Sequence, residues 1–112
     1  MSGGIDSSVA AYLLKRQGYD VEGVTMLIWR PDSPYPAPVS STSCYCKDKS
    51  EDLARIDSVS SDLGIRHTVI DCSSVFEREV LEVFRSEYIS GRTPNPCVMC
   101  NSRVKFGAML DR

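Results

Sequence analysis

No apolar run in the sequence approaches the length that crosses a bilayer, and no segment reads as a signal peptide. The expectation is a chain with no membrane partner in a reduced, cytoplasmic setting. Excess charge of either sign is small as well. The net charge of −2 excludes strong non-specific attraction to nucleic acid by the chain as a whole. There is no internal repeat, and no low-complexity tract beyond one loop rich in proline and serine. The single histidine, His67, falls in a strand pattern and is read as structural. No Gly-Lys-Ser/Thr follows the glycine pair Gly3-Gly4, so a Walker A loop is excluded.

What is present is ordinary in bulk. With 42% hydrophobic and 25% charged residues in 112, the chain reads as one globular domain at most. A chain of this size buries roughly two-thirds of its unfolded surface. Five cysteines make an odd count, and in a reducing compartment closely spaced cysteines point to catalysis or metal binding rather than structural disulfides.

The string Ser2-Gly3-Gly4-Ile5-Asp6-Ser7-Ser8 carries the first signal. Two glycines between small hydroxyl residues, with an amphipathic helix directly behind, bring several backbone N–H groups and a helix N-terminus to one point. Glycine permits close approach and the helix dipole favours an anion. The string resembles the signature of PP-loop ATP pyrophosphatases, which adenylate a substrate and release pyrophosphate. A plain Gly-Gly turn before a capped helix is the competing reading. A phosphate loop of this kind follows a buried parallel strand, and only Met1 precedes it here, so the expectation is a sheet lacking its first strand.

Along the chain, Ser7 to Gln17 reads as a helix stopped by Gly18, with Val9, Leu13 and Ala10, Leu14 at four-residue spacing. Val21 to Trp29 reads as a buried parallel strand. Pro31, Pro34, Pro36 and Pro38 forbid regular structure, and Ser40 to Ser43 extend that loop. Ser50 can cap a second helix with the stripe Leu53, Ile56, Val59, Leu63, ended by Gly64. Ile65 to Cys72 is a second strand. Ser74-Val75-Phe76-Glu77 reads as a capping box before a third helix with Phe76, Val80, Phe84 and Tyr88 on one face, stopped by Gly91. A final helical pattern begins at Asn101. With one strand restored before Ser2, this order gives successive βαβ units of a doubly wound parallel α/β fold, whose ligands sit beyond the carboxyl ends of the strands.

The second signal is Gly91-Arg92-Thr93-Pro94-Asn95-Pro96-Cys97-Val98-Met99-Cys100-Asn101. Two prolines stiffen the turn and hold Asn95 extended. Cys97 and Cys100, three apart, can direct both sulfurs to one point. Cys100 is read as lying just before a helix start, where the dipole with Arg103 and Lys105 would favour thiolate. Two small buried cysteines are the alternative on spacing alone. Arg92, Arg103, Lys105 and Arg112 stand against Asp111 alone in this last stretch, which suits a phosphate backbone or a solvated helix face equally.

Taken together, the Gly91–Asn101 stretch, Val104-Lys105-Phe106-Gly107, the opening Ser2–Tyr19 segment and Val21–Met26 resemble the tRNA-specific 2-thiouridylase family over nearly the whole chain, least between Arg30 and Lys49. The resemblance implies an enzyme that uses ATP and Mg²⁺ to adenylate the wobble uridine of tRNA at its 2-oxygen. Sulfur from a cysteine persulfide, supplied by a donor protein, then replaces the oxygen. By the same resemblance Ser2, Gly3, Gly4, Ile5, Asp6, Ser7 and Ser8 form the nucleotide loop and Met26 lines the adenosine site. Asn95, Pro96 and Cys97 meet the target base. Cys100 is the first catalytic cysteine, nucleophile or partner of the persulfide cysteine, and a disulfide bond is implied at that site. Many members carry Asp at the position of Cys97. Some are argued to hold an iron–sulfur cluster there, for which Cys97 and Cys100 would be two ligands, with a third needed from elsewhere. Asp6 would hold a loop amide or help place Mg²⁺; a plain N-cap is its other reading.

The family's three parts imply that residues 1–112 are an incomplete PP-loop domain. Its linking domain, its C-terminal β-barrel and the persulfide-bearing cysteine lie beyond Arg112. The expectation is therefore a fragment inactive alone and marginal in folding. Two other readings stand beside this one: a different PP-loop adenylating enzyme, against which the cysteine stretch argues, and a non-catalytic CxxC metal or cluster module. Cys44 and Cys46 are a metal pair or variable loop thiols. Cys72 is read as core, Trp29 as closing a strand or stacking on a base, and Arg92 as a phosphate contact or a local salt bridge.

Overall fold

In a computed structural model, residues 1–30, 32–35 and 50–111 are described. The expectations for Pro31, Pro36, Pro38, Ser40–Ser43, Cys44 and Cys46, and for Arg112, lie outside them. The chain divides into two compact units, one of Met1–Thr25 with Pro31–Val69 and one of Met26–Arg30 with Ile70–Arg112. The described elements are helix α1 (Ile5–Arg16), strand β1 (Glu22–Leu27), helix α2 (Ser50–Leu63), strand β2 (Arg66–Asp71), helix α3 (Ser73–Phe76), helix α4 (Glu82–Ile89) and helix α5 (Pro96–Cys100). Helical chain with wider, π-type winding joins α3 to α4 over Glu77–Leu81 and continues α5 over Asn101–Ala108. The two strands pair in a small parallel sheet, so the α/β class and the strand–helix–strand order hold.

In the first unit the core gathers on one face of α2. Ile56 and Ser60 are buried there, with Ala11 of α1 and Thr25 of β1. The sequence stripe on α2 is thus real, since Leu53, Val59 and Leu63 flank Ile56 half-buried. On α1 the pattern misleads. Val9, Leu13 and Leu14 are exposed, and the small Ala11 is the buried position. Lys15 ties the two helices by donating from Nζ to the carbonyls of Leu63 and Gly64, the latter at 2.9 Å. These carbonyls lie at the C-terminal end of α2, where they need a partner and favour a cation. Gly64 ends α2 in the left-handed region at φ +61, where a non-glycine residue is strained.

His67 and its partners join three elements of this unit. From β2 its ring bonds Asp57 Oδ1 of α2 through Nδ1 at 2.7 Å and Thr25 Oγ1 of β1 through Nε2 at 2.8 Å. Thr25 Oγ1 also donates to the Met1 carbonyl at 2.8 Å. Met1 lies beside β1, its amino group donating to the Val24 carbonyl.

The second unit is built on Phe76, Val80, Val104 and Cys72, all fully buried, with Ile28, Ser73 and Cys100. The core assignment of Cys72 holds. Each large side chain contributes roughly 1.5–3 kcal/mol by leaving water. Trp29 packs edge-on against Phe76 with ring centroids 5.9 Å apart, as expected of a residue closing a strand end. Phe84 and Tyr88 stack at 6.2 Å, continuing the stripe outward, where Tyr88 is exposed.

Three local expectations change. Helix α1 starts at Ile5, not Ser7. The Ser74 capping box does not form: α3 begins at Ser73, and its N–H is accepted by Asp71 Oδ1 at 2.9 Å, so an Asx turn at the end of β2 displaces the box. The last helix begins at Pro96, not Asn101, because Asn95 is its cap. No described helix is long and apolar enough to cross a membrane.

Candidate functional site

The glycine loop lies in the first unit. Gly3 is left-handed at φ +79, and a Cβ there would stand 3.5 Å from Ile56 Cγ1 and 3.6 Å from the Asp52 carbonyl oxygen. The turn therefore selects glycine through backbone conformation, with the loop resting directly on α2. Gly4 is extended and is the N-cap of α1. No side chain caps α1, which leaves its first-turn N–H groups to an incoming acceptor. Asp6 is accordingly not the N-cap. It is an exposed first-turn residue, beside the exposed Ile5.

The loop hydroxyls turn inward. Ser7 Oγ donates to the Gly4 carbonyl at 3.2 Å and Ser8 Oγ to the same oxygen at 3.0 Å. The Gly4 N–H points to Ser2 Oγ at 3.4 Å, and Ser2 and Ser7 hydroxyls lie 3.5 Å apart. Donation to an anion in this geometry falls first to the amides, since the Ser7 and Ser8 hydroxyl protons are already engaged. The residues thus fit a phosphate group. Met26, the other residue expected at a nucleotide, is half-buried near the end of β1.

The cysteine motif lies in the second unit. Asn95 Oδ1 accepts from the N–H of Cys97 at 3.1 Å and of Val98 at 3.2 Å, and Pro96 occupies the first turn, where its missing N–H costs nothing. Cys97 is in that first turn and exposed, whereas Cys100, a turn later, is 4% exposed. Cys100 therefore does not stand at the helix start where the sequence reading placed it. Neither is in a disulfide, nor is Cys72. Among the described residues no three His, Cys, Asp or Glu side chains group to hold a metal, so the pair supplies only two of the ligands a cluster needs.

Two of the basic residues nearby, Arg92 and Arg103, are engaged. Arg92 makes a two-pronged ion pair with Glu87, Nε to Oε2 at 2.5 Å and Nη2 to Oε1 at 2.7 Å, which resolves its alternatives toward the local salt bridge. Hydrogen bonding and charge from Arg92 hold the Glu87 carboxyl below its usual range, and Arg92 is raised in turn. Glu79, bonded to Arg78 and to Arg103, is likewise lowered, chiefly by its Arg78 hydrogen bond. His67 has both ring nitrogens engaged within the first unit, consistent with its structural reading. Its partners Asp57 and Thr25 carry no signal in the sequence, because nothing local marks contacts between residues 10 and 42 apart.

With both motifs located, comparison with known proteins is informative. The sequence profile of the tRNA methyl transferase HUP domain matches residues 1–112, the entire chain. The chain belongs to this family. Among curated proteins, it is 46% identical over 112 residues to tRNA-specific 2-thiouridylase MnmA 2 of Thermoanaerobacter sp. (strain X514), covering 100% of this chain and 30% of that one. It is 48% identical to tRNA-specific 2-thiouridylase MnmA of Pelotomaculum thermopropionicum, with the same coverage. Over 110 residues it is 49% identical to the Moorella thermoacetica protein of that name, covering 98% of this chain and 29% of the relative. The chain thus spans about 30% of the length of the relatives it matches.

Proposed function

We propose that this chain is the nucleotide-binding part of an enzyme that replaces the 2-oxygen of the wobble uridine of tRNA with sulfur. One observation carries the reading: 98–100% of the chain matches proteins named tRNA-specific 2-thiouridylase at 46–49% identity. The domain is taken to be the opening portion of a doubly wound PP-loop fold, acting in the cytoplasm.

In this reading ATP is a substrate that supplies the AMP needed to turn a poor leaving group, the uridine 2-oxygen, into a good one. The chain's own part is to hold it. Gly3 and Gly4 bring the backbone close, and the uncapped first turn of α1 offers N–H groups to phosphate oxygens. Asp6, exposed at that turn, is placed to hold Mg²⁺ or a loop amide. Met26 would line the adenosine. Asn95 serves the target base through the turn it caps, because its side-chain oxygen is already committed to Cys97 and Val98. Cys100 is assigned the thiol chemistry, with sulfur arriving from a persulfide donor; a thiolate is a strong nucleophile near neutral pH. Its burial requires the Pro94–Cys100 turn to open or a partner sulfur to be delivered into it. An iron–sulfur cluster, if held, would take Cys97 and Cys100 as two of its ligands and need a third from outside the described residues.

The test is ATP binding by calorimetry in Mg²⁺ buffer, on the protein with the remaining length its relatives have. Asp6→Ala and Gly3→Ala should weaken binding, and Cys100→Ser should leave it unchanged. Undetectable ATP binding by the parent protein would remove the nucleotide half of the proposal.

A further inference from the structure

Cys97 and Cys100 share a helix but not an environment. Cys97 is open to solvent and Cys100 is 4% exposed. Residues three apart on a helix lie on one side of it, within the roughly 4.4–6.8 Å Cα separation that a disulfide spans. The turn that holds them is fixed beforehand, by the Asn95 cap on the amides of Cys97 and Val98 and by Pro96. Cys97 is therefore open to a bulky reagent, while Cys100 is shielded from one.

We propose that Cys97 and Cys100 are a thiol–disulfide redox pair whose oxidant is a small-molecule disulfide of the glutathione type. The Cys97 thiolate attacks one sulfur of the small disulfide. A Cys97 mixed disulfide forms, the original sulfur–sulfur bond breaks, and one small thiolate leaves. The Cys100 thiolate then attacks the Cys97 sulfur, forming the internal disulfide and releasing the second small thiolate. The two cysteine sulfurs together give up two electrons, which reduce the small disulfide, and the protons lost by the cysteines go to the two thiolates released. Excess small thiol reverses both steps. The consequence for activity, that oxidation silences Cys100, rests on the proposed function; the pair itself does not.

The experiment equilibrates the reduced protein in glutathione buffers of stepped oxidised-to-reduced ratio, quenches in acid, alkylates the denatured protein and maps peptides by mass. The peptide holding both cysteines should lose two hydrogens in one step while Cys72 remains alkylated. In Cys100→Ser, glutathione should accumulate on Cys97. In Cys97→Ser, an exposed change that leaves the core alone, Cys100 should stay a thiol across the same buffers. The proposal is overturned by a stable glutathione adduct on Cys97 of the parent protein, by Cys97 linked to Cys44 or Cys46, or by equal oxidation of Cys100 without Cys97. Absence of oxidation at any ratio overturns it too. Because the readout is mass and not thiolation, it stands or fails separately from the assignment of tRNA as substrate.

Discussion

Asn95 Oδ1 accepts the backbone N–H of Cys97 at 3.1 Å, so the residue that shapes the cysteine turn also begins the helix carrying both thiols. An N-cap of this kind contributes about 0.5–2 kcal/mol. Asn95→Ala should lower unfolding free energy by that amount in urea titration, with faster amide exchange at Cys97 and Val98. Asn95→Asp should restore most of it. Equal stability of Asn95→Ala would show that Pro96 alone fixes the turn.

The glycines of the loop should separate in their responses. Gly3→Ala places a side chain at φ +79, which costs about 1–2 kcal/mol in an L-residue. Gly4→Ala meets only Ser2 Oγ at 3.4 Å in an extended conformation, so its cost should be smaller, limited to the poorer N-cap. Thermal unfolding of both variants is the comparison; a reversed order would contradict the positive-φ role of Gly3.

His67→Ala removes the link between α2, β2 and β1. The imidazole has a side-chain exposure of only 6%, and its loss should cost roughly 1–3 kcal/mol through lost hydrogen bonds and the space left behind. Asp57→Asn, at the exposed end of the link, should cost less. If His67→Ala unfolds with unchanged urea midpoint, the link is not structural.

Acid should weaken the second unit through Glu87 and Glu79. Both carboxyls titrate below the ordinary glutamate value of 4.5 because arginines bond their charged forms. A depressed carboxyl contributes stability that is complete above its unfolded value and lost as pH falls through its folded value. The loss should begin below about pH 4.5 and deepen with acidification. Glu87→Gln should flatten that limb in unfolding curves measured from about pH 5 to pH 3, and high salt should shrink the difference, since both pairs are exposed. Identical acid limbs in the parent and Glu87→Gln would show the Arg92 pair to be energetically silent.

Much of this was legible in the sequence because it is local. Gly18, Gly64 and Gly91 end helices as read, each at positive φ, and the α2 stripe places Ile56 in the core. Helix starts were less legible, because neighbouring side chains compete for the same amides. Asp71 takes the Ser73 N–H before Ser74 can act, and Asn95 starts a helix that the apolar pattern placed at Asn101. Burial of Cys100 beside an exposed Cys97 follows from which helix face packs against the Glu77–Leu81 segment, and spacing alone does not specify that. The His67 link joins residues far apart in the chain and leaves no local trace.

The measurement closest to the central claim is nucleoside mass spectrometry of total tRNA from cells with the encoding gene intact and then disrupted. The expected result is loss of 2-thiouridine derivatives at the wobble position on disruption, restored by the intact gene and not by one carrying Cys100→Ser. Unchanged 2-thiouridine in the disrupted cells would contradict the assignment and leave the glycine loop to a different substrate.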